Sequence, residues 1–208
     1  DVIMLLKAEN ISFQYDKNSW ILKDVSLTLQ SGEIVGISGP SGYGKTTLCR
    51  ILAGYERPQL GQVTLDGNPL PRSGFNPVQL VFQHPEKAVN PRWPIKKILK
   101  ESWEPEDWIL QALGIEKEWL NRWPHELSGG ELQRICVARA LNPETRFLIA
   151  DEMTTMLDAI LQAKIWQAVL AIASMRNLGV LVVSHDEHLL KRLCTRILRI
   201  EDLNNVKK

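Results

Sequence analysis

Residues 39–46 read Gly39-Pro40-Ser41-Gly42-Tyr43-Gly44-Lys45-Thr46 and carry the spacing G-x-x-x-x-G-K-[ST]. Glycines so placed let successive backbone N–H groups converge on a phosphate with no Cβ in the way, and a helix starting at the loop's end adds its partial positive charge. Lys45 supplies a cation for β- and γ-phosphate oxygens, and the Thr46 hydroxyl is the hard oxygen ligand that Mg²⁺ takes. Thr47 opens a run of helical composition to Leu52, on the same phosphate-binding turn. Tyr43 stands at a variable position of which the pattern asks nothing. The chemistry implied is nucleotide binding, with the reaction still open.

Two acids further along suit hydrolysis. Phe147-Leu148-Ile149-Ala150 is an apolar run ending in Asp151-Glu152. Burying such a strand places both acids at its carboxyl end, where open α/β sheets bind ligands. Asp151 suits the magnesium shell, usually through water. Glu152 points the other way along the backbone, free to orient and polarise a water for in-line attack on a γ-phosphate. Acids at strand ends are common, and this pair gains its meaning from the phosphate loop.

These groups need a sheet to hold them. Apolar and polar residues alternate over 6–13 and 25–29, with Asp16, Asn18 and Ser31-Gly32 as turn signals, and 63–65 before Asp66-Gly67 adds another strand, so the N-terminal part reads as antiparallel. Residues 34–37 form a short apolar strand feeding the phosphate loop. The runs 146–150 and 180–183 read as buried parallel strands separated by a helix over 159–175, a βαβ unit. Between residues 85 and 140 the character turns helical, with Pro91, Pro94, Pro105 and Pro124 as breakers. Trp93, Trp103, Trp108, Trp119 and Trp123 all fall there.

Within that insert, Ser128 is a helix-cap residue, Gly129 and Gly130 bare the backbone, and 131–141 reads as a helix, giving a second anion-binding helix end. The string Leu127-Ser128-Gly129-Gly130-Glu131-Leu132-Gln133-Arg134 resembles the signature of ABC ATPases, and the other family motifs follow in the family's order. The resemblance implies an α/β fold: a P-loop NTPase core with a mostly parallel sheet, an N-terminal antiparallel β subdomain and an inserted helical subdomain. Residues 1–84 and 141–208 would form the core and 85–140 the insert. It further implies that ATP, with Mg²⁺, sits between one subunit's phosphate loop and another's signature. Gln83 matches the loop glutamine that contacts metal and water and senses the transmembrane partner. His185 matches the switch histidine on the γ-phosphate, Asp158 the loop that crosses the dimer interface, and Tyr15 the aromatic that stacks on adenine, with Phe13 and Trp20 close enough to take its place. Met153, Thr154, Thr155 and Met156 depart from the family's usual proline and small residues.

Val81-Phe82-Gln83-His84-Pro85, followed by Ala88-Val89-Asn90-Pro91-Arg92, resembles the peptide and nickel uptake branch. That implies an importer of peptides, nickel or metal chelates, with integral membrane permease subunits and a second ABC ATPase, identical or not, as partners. The tryptophan-rich insert would then be the docking surface for the permease, although tryptophans spaced among helix formers are more often core. A competing class is an ABC ATPase uncoupled from transport, such as a phosphonate-metabolism component; a module that no longer hydrolyses conflicts with Glu152 and His185.

Composition sets the outer bounds. The 208 residues are 44% hydrophobic and 24% charged with net charge +1, so nothing points to a polyanionic partner, and nucleic acid is not expected. Cys49, Cys136 and Cys194 lack zinc or redox spacing and read as reduced, packed thiols. No segment approaches a membrane span or signal peptide, which suggests a cytoplasmic protein peripheral to the inner face of the membrane. Only eight residues follow Ile200, short of the extension many such proteins carry.

Overall fold

Two strand patterns generate two sheets in the computed structural model, which describes residues 2–207. Strands β1 (Leu5–Phe13), β2 (Leu22–Gln30), β4 (Leu60–Leu65) and β5 (Asn68–Pro69) pair antiparallel in the order β2-β1-β4-β5. β2 alternates buried and exposed positions, as a sheet with one solvated face requires. Strands β3 (Ile34–Ser38), β6 (Val78–Val81), β7 (Phe147–Asp151), β8 (Gly179–Val183) and β9 (Arg196–Arg199) form a parallel sheet in the order β6-β7-β8-β3-β9. Every residue of β7 and β8 is buried. This is the pattern of parallel strands covered on both faces.

The period of two divides those strands between two apolar layers. Leu148, Val180 and Val182 belong to one cluster, which also takes in α2 (Ile95–Lys100), α3 (Asp107–Ala112), α4 (Gly129–Ala140) and α5 (Ala159–Arg176) through Ile98, Ile109, Ile135 and Ile172. Phe147, Ile149 and Leu181 face the other layer, where α1 (Lys45–Leu52) and the antiparallel sheet contribute Leu48, Leu52, Leu6 and Ile11. Each fully buried Leu, Ile or Phe contributes about 1.5–3 kcal/mol through lost apolar surface, so the two layers fix the sheet's orientation firmly. Register then aligns the strand ends: Asp151 pairs with Val183, and Val183 with Ile37. The remaining helices, α6 (Glu187–Leu193) and α7 (Ile200–Leu203), follow β8 and β9.

Several expectations need adjusting. α4 begins at Gly129, so both glycines lie inside its first turn, because Ser128 caps from outside the helix. α5 runs to Arg176 and ends on Asn177, whose φ of 55° is the left-handed cap that asparagine tolerates. The tryptophans of the insert are not a docking surface as a group. Trp119 is buried, Trp93 and Trp103 pack against the core, and the Trp103 indole donates to the Ala138 carbonyl at 2.8 Å. Arg134 and Arg176 lie over the rings of Trp119 and Trp103. The insert's short, proline-interrupted helices need large side chains to fill the space between them, and only Trp108 and Trp123 remain substantially exposed. Among the described residues no helix is long and apolar enough to cross a membrane.

Candidate nucleotide site

β3 ends at Ser38 and the chain turns through residues 39–44 into α1. Two glycines make that turn possible. Gly39 has φ 144° and a Cβ there would overlap Ile200, while Gly44 has φ 90° and a Cβ would come within 2.7 Å of Leu22. Gly44 is the N-cap of α1 and offers no side chain to it. The N–H groups of the first turn are therefore aimed at whatever occupies the loop, with the helix dipole behind them. Lys45 is buried, and its ammonium donates to the Gly39 carbonyl, which holds the charge across the loop.

Asp151 ends β7 at 3% exposure, and its Oδ1 is buried without a hydrogen-bond partner. Burial pushes its carboxyl pKa up; the Thr46 hydrogen bond pulls it partly back, ahead of the pull of Lys45 and Arg50. An orphaned carboxylate oxygen beside a threonine hydroxyl suits a small hard cation, so Thr46 and Asp151 fit Mg²⁺. Among the described residues no group of three or more His, Cys, Asp or Glu could hold a metal. A cation here would need the remaining oxygens from water and phosphate, which is how Mg²⁺ usually arrives.

Glu152 leaves the strand in the left-handed region, at φ 50°. Its carboxylate is engaged within the chain, in contacts the sequence does not disclose. Oε1 accepts from the His185 backbone N–H at 2.9 Å and lies 2.9 Å from His185 Nδ1, while Oε2 accepts from the Thr155 hydroxyl at 2.6 Å and from Ser184 at 3.4 Å. The cause is tertiary: parallel pairing of β7 and β8 sets residues 184 and 185 beside the end of β7.

A cleft of about 390 Å³ gathers Tyr15, Ser41, Gly42, Gly44, Lys45, Thr46, Thr47, Gln83, Asp151, Glu152 and His185 from separate stretches of chain. Tyr15 is 60% exposed and rests edge-on against Phe13, ring centres 4.7 Å apart. Gly39, Pro40 and Tyr43 belong to the loop without lining the cleft, and Tyr43 packs against the N-terminal core. Ser128, Gly129, Gly130 and Asp158 do not line it either. Ser128 and Glu131 form a reciprocal capping box on α4, and Asp158 caps α5 by accepting from the Leu161 N–H at 2.9 Å. Gly129 and Gly130 lie against Met156 and Leu157, so the α4 start and the loop after Glu152 are neighbours within this chain.

Residue-by-residue reading of the sequence missed three contributors. Ile21 lines the cleft. Ser184, almost fully buried, reaches Glu152. Gln133, also buried, donates to the carbonyls of Phe82 at 2.7 Å and Met153 at 2.8 Å, tying the segment before Gln83 to the one after Glu152. A signal for Gln133 existed: a glutamine between Leu132 and Ile135, which the helix buries.

Comparisons with known proteins agree with this geometry. Residues 22–155 match the family described as ABC transporter. The nickel import ATP-binding protein NikE of Escherichia coli K12 is 37% identical over 201 residues, covering 88% of this chain and 75% of that protein, and NikE of Shigella dysenteriae matches equally. Among solved structures, the dimeric cassette MJ0796 superposes with TM-score 0.77 at 26% identity over 93% of each chain. Its post-hydrolysis state bound to ADP and Pi gives 0.79 at 26% identity, over 98% of this chain and 97% of that one. A phosphate loop, an orphaned carboxylate at the end of β7 and a family match through both place the chemistry: this chain belongs to the ABC transporter ATP-binding family and is an ATPase of that kind.

Proposed function

We propose that the chain is the ATPase of an importer for nickel, metal chelates or peptides, and that it turns over only when a second ATPase subunit closes on its nucleotide. The observation that carries the second part is the division of the site. The cleft holds everything needed to grip a triphosphate, yet Ser128, Gly129 and Gly130 stand outside it. A partner's α4 start brought onto the γ-phosphate would supply the missing donors.

The roles then follow. Tyr15 would stack on the base, and the N–H groups of residues 42–47 with Lys45 would hold the phosphates. Thr46, Asp151 and, through the cleft they share, Gln83 would hold Mg²⁺, which spreads the charge of the β- and γ-oxygens. Glu152 would accept the proton of the attacking water, and His185 would hold that carboxylate and then the γ-phosphate. Asp158 would meet the partner across the closed interface.

Importer coupling is supported by the likeness to nickel import proteins and by a second cavity of about 480 Å³ that shares Thr46, Gln83 and Asp151 with the nucleotide cleft. Arg50, Tyr55, Phe82 and Lys87 also line it, with Tyr55 exposed and edge-on to Phe82. A helix of a membrane permease seated there would feel the nucleotide through Gln83, and this would hold the chain at the cytoplasmic face of the membrane. The test of the catalytic part is Glu152→Gln. Nucleotide affinity should stay within about twofold while turnover falls by about 100-fold or more. Unchanged hydrolysis would remove Glu152 from its role.

A further inference from the structure

α7 and the residues after it form a brace that reaches both sides of the nucleotide cleft. The Asn204 carboxamide uses all four of its hydrogen-bonding positions. Nδ2 donates to the Ile21 carbonyl at 2.8 Å and to the Tyr43 carbonyl at 3.1 Å. Oδ1 accepts from the Lys23 N–H at 3.0 Å and the Val206 N–H at 3.3 Å. Tyr43 lies in the phosphate loop. Ile21 lies at the mouth of the β1–β2 hairpin, where its N–H donates to the Phe13 carbonyl at 2.9 Å, and the Phe13 ring supports Tyr15.

The brace is itself fixed to the loop. β9 pairs with β3 up to Ser38–Arg199, one residue before the loop begins, and the Asn204 N–H donates to the Ile200 carbonyl at 2.8 Å. Ile200 fills the space that a side chain on Gly39 would need. Asn205 adds bonds to the Lys23 and Asp24 carbonyls. The base side and the phosphate side of the cleft come from segments more than twenty residues apart, and one side chain bridges them.

We propose that Asn204 is a positioning residue for nucleotide binding: by tying the Ile21 and Tyr43 carbonyls together it sets the spacing between the base-stacking hairpin and the phosphate loop. The inference rests on the reading of Tyr15 as the base platform. Its consequence is selective. A nucleotide, which must reach both sides, depends on the brace, whereas a bare polyphosphate, which touches only the loop, does not.

Calorimetric titration of the chain with a non-hydrolysable ATP analogue and with inorganic tripolyphosphate, both with Mg²⁺, tests this. Asn204→Ala should weaken the analogue by about five- to tenfold, the loss expected for about one or two hydrogen bonds, and leave tripolyphosphate within about twofold. In turnover it should raise KM for ATP with little change in kcat. Should that variant fail to fold, Asn204→Gln, which keeps the carboxamide but moves it by one methylene, should show the same split. Equal weakening of both ligands, or of neither, overturns the proposal. Tyr15→Ala measured alongside separates the two readings: if it binds the analogue as the parent does while Asn204→Ala still discriminates, the platform is another residue and the brace stands.

Discussion

The starts of α1 and α4 are two helix N-termini built from the same ingredients, glycine and a small polar residue, and they are finished in opposite ways. α1 begins on Gly44 with no side-chain cap and places Lys45 and Thr46 in its first turn. α4 begins on Ser128, whose hydroxyl accepts from the Glu131 N–H at 3.1 Å while the Glu131 carboxylate accepts from the Ser128 N–H at 2.9 Å. A carboxylate in the first turn already answers the helix dipole, which lowers what that end can offer an anion. The first end can hold a phosphate alone. The second is suited to completing a site whose ligand is held elsewhere, in keeping with the proposed division of binding to one end and turnover to the other.

The largest effect should come from α1. Lys45→Ala removes a charged donor from the loop and should weaken ATP by about 100-fold, read by equilibrium binding; a comparable loss from Ser128→Ala would make the two ends equivalent and break the comparison. Next is Ser128→Arg, which should cut hydrolysis by about 100-fold while leaving ATP affinity within about twofold, since loss of one donor to a developing oxyanion has that size. Normal turnover in that variant would take α4 out of the reaction.

The smallest effect concerns stability. Burial disfavours the charged form of Asp151, so Asp151→Asn should raise the melting temperature of the nucleotide-free chain by about 2–4 °C, the shift about 1 kcal/mol gives a domain of this size, and, on the proposed role in holding Mg²⁺, should abolish Mg²⁺-dependent binding. The sign in pH follows from the raised pKa. The native state holds the proton more tightly than the unfolded one, so this group's contribution to stability is greatest below the ordinary aspartate value of 3.8 and is lost as pH rises through the higher native one. The variant should lack that part of the pH profile of the melting temperature; a profile identical to the parent's would contradict the account.

What the sequence discloses divides along the line between local and tertiary causes. The phosphate loop is legible because its glycines, lysine and threonine act on neighbouring backbone within eight residues. The apolar runs before Asp151 and Ser184 are legible because burial on both faces leaves no polar position in β7 before Asp151, or anywhere in β8. The engagement of Glu152 is not legible, since it depends on the register of β7 against β8, which brings residues 33 positions apart to 2.9 Å. The same holds for Asn204, whose carboxamide reaches Ile21, Lys23 and Tyr43, 161 to 183 positions away. The tryptophans left two readings open. An aromatic-rich insert reads as surface for a partner or as core, and six-residue helices separated by prolines need most of those rings to build their own core.

Turnover by two chains and binding by one is the proposal from which the rest follows. ATP hydrolysis per chain, measured across a wide range of protein concentration alongside sedimentation to fix the oligomeric state, tests it most directly. The specific rate should rise with the fraction of paired chains and fall toward nothing in the monomer, with ATP still bound. A constant, full rate from chains shown to be monomeric would contradict it.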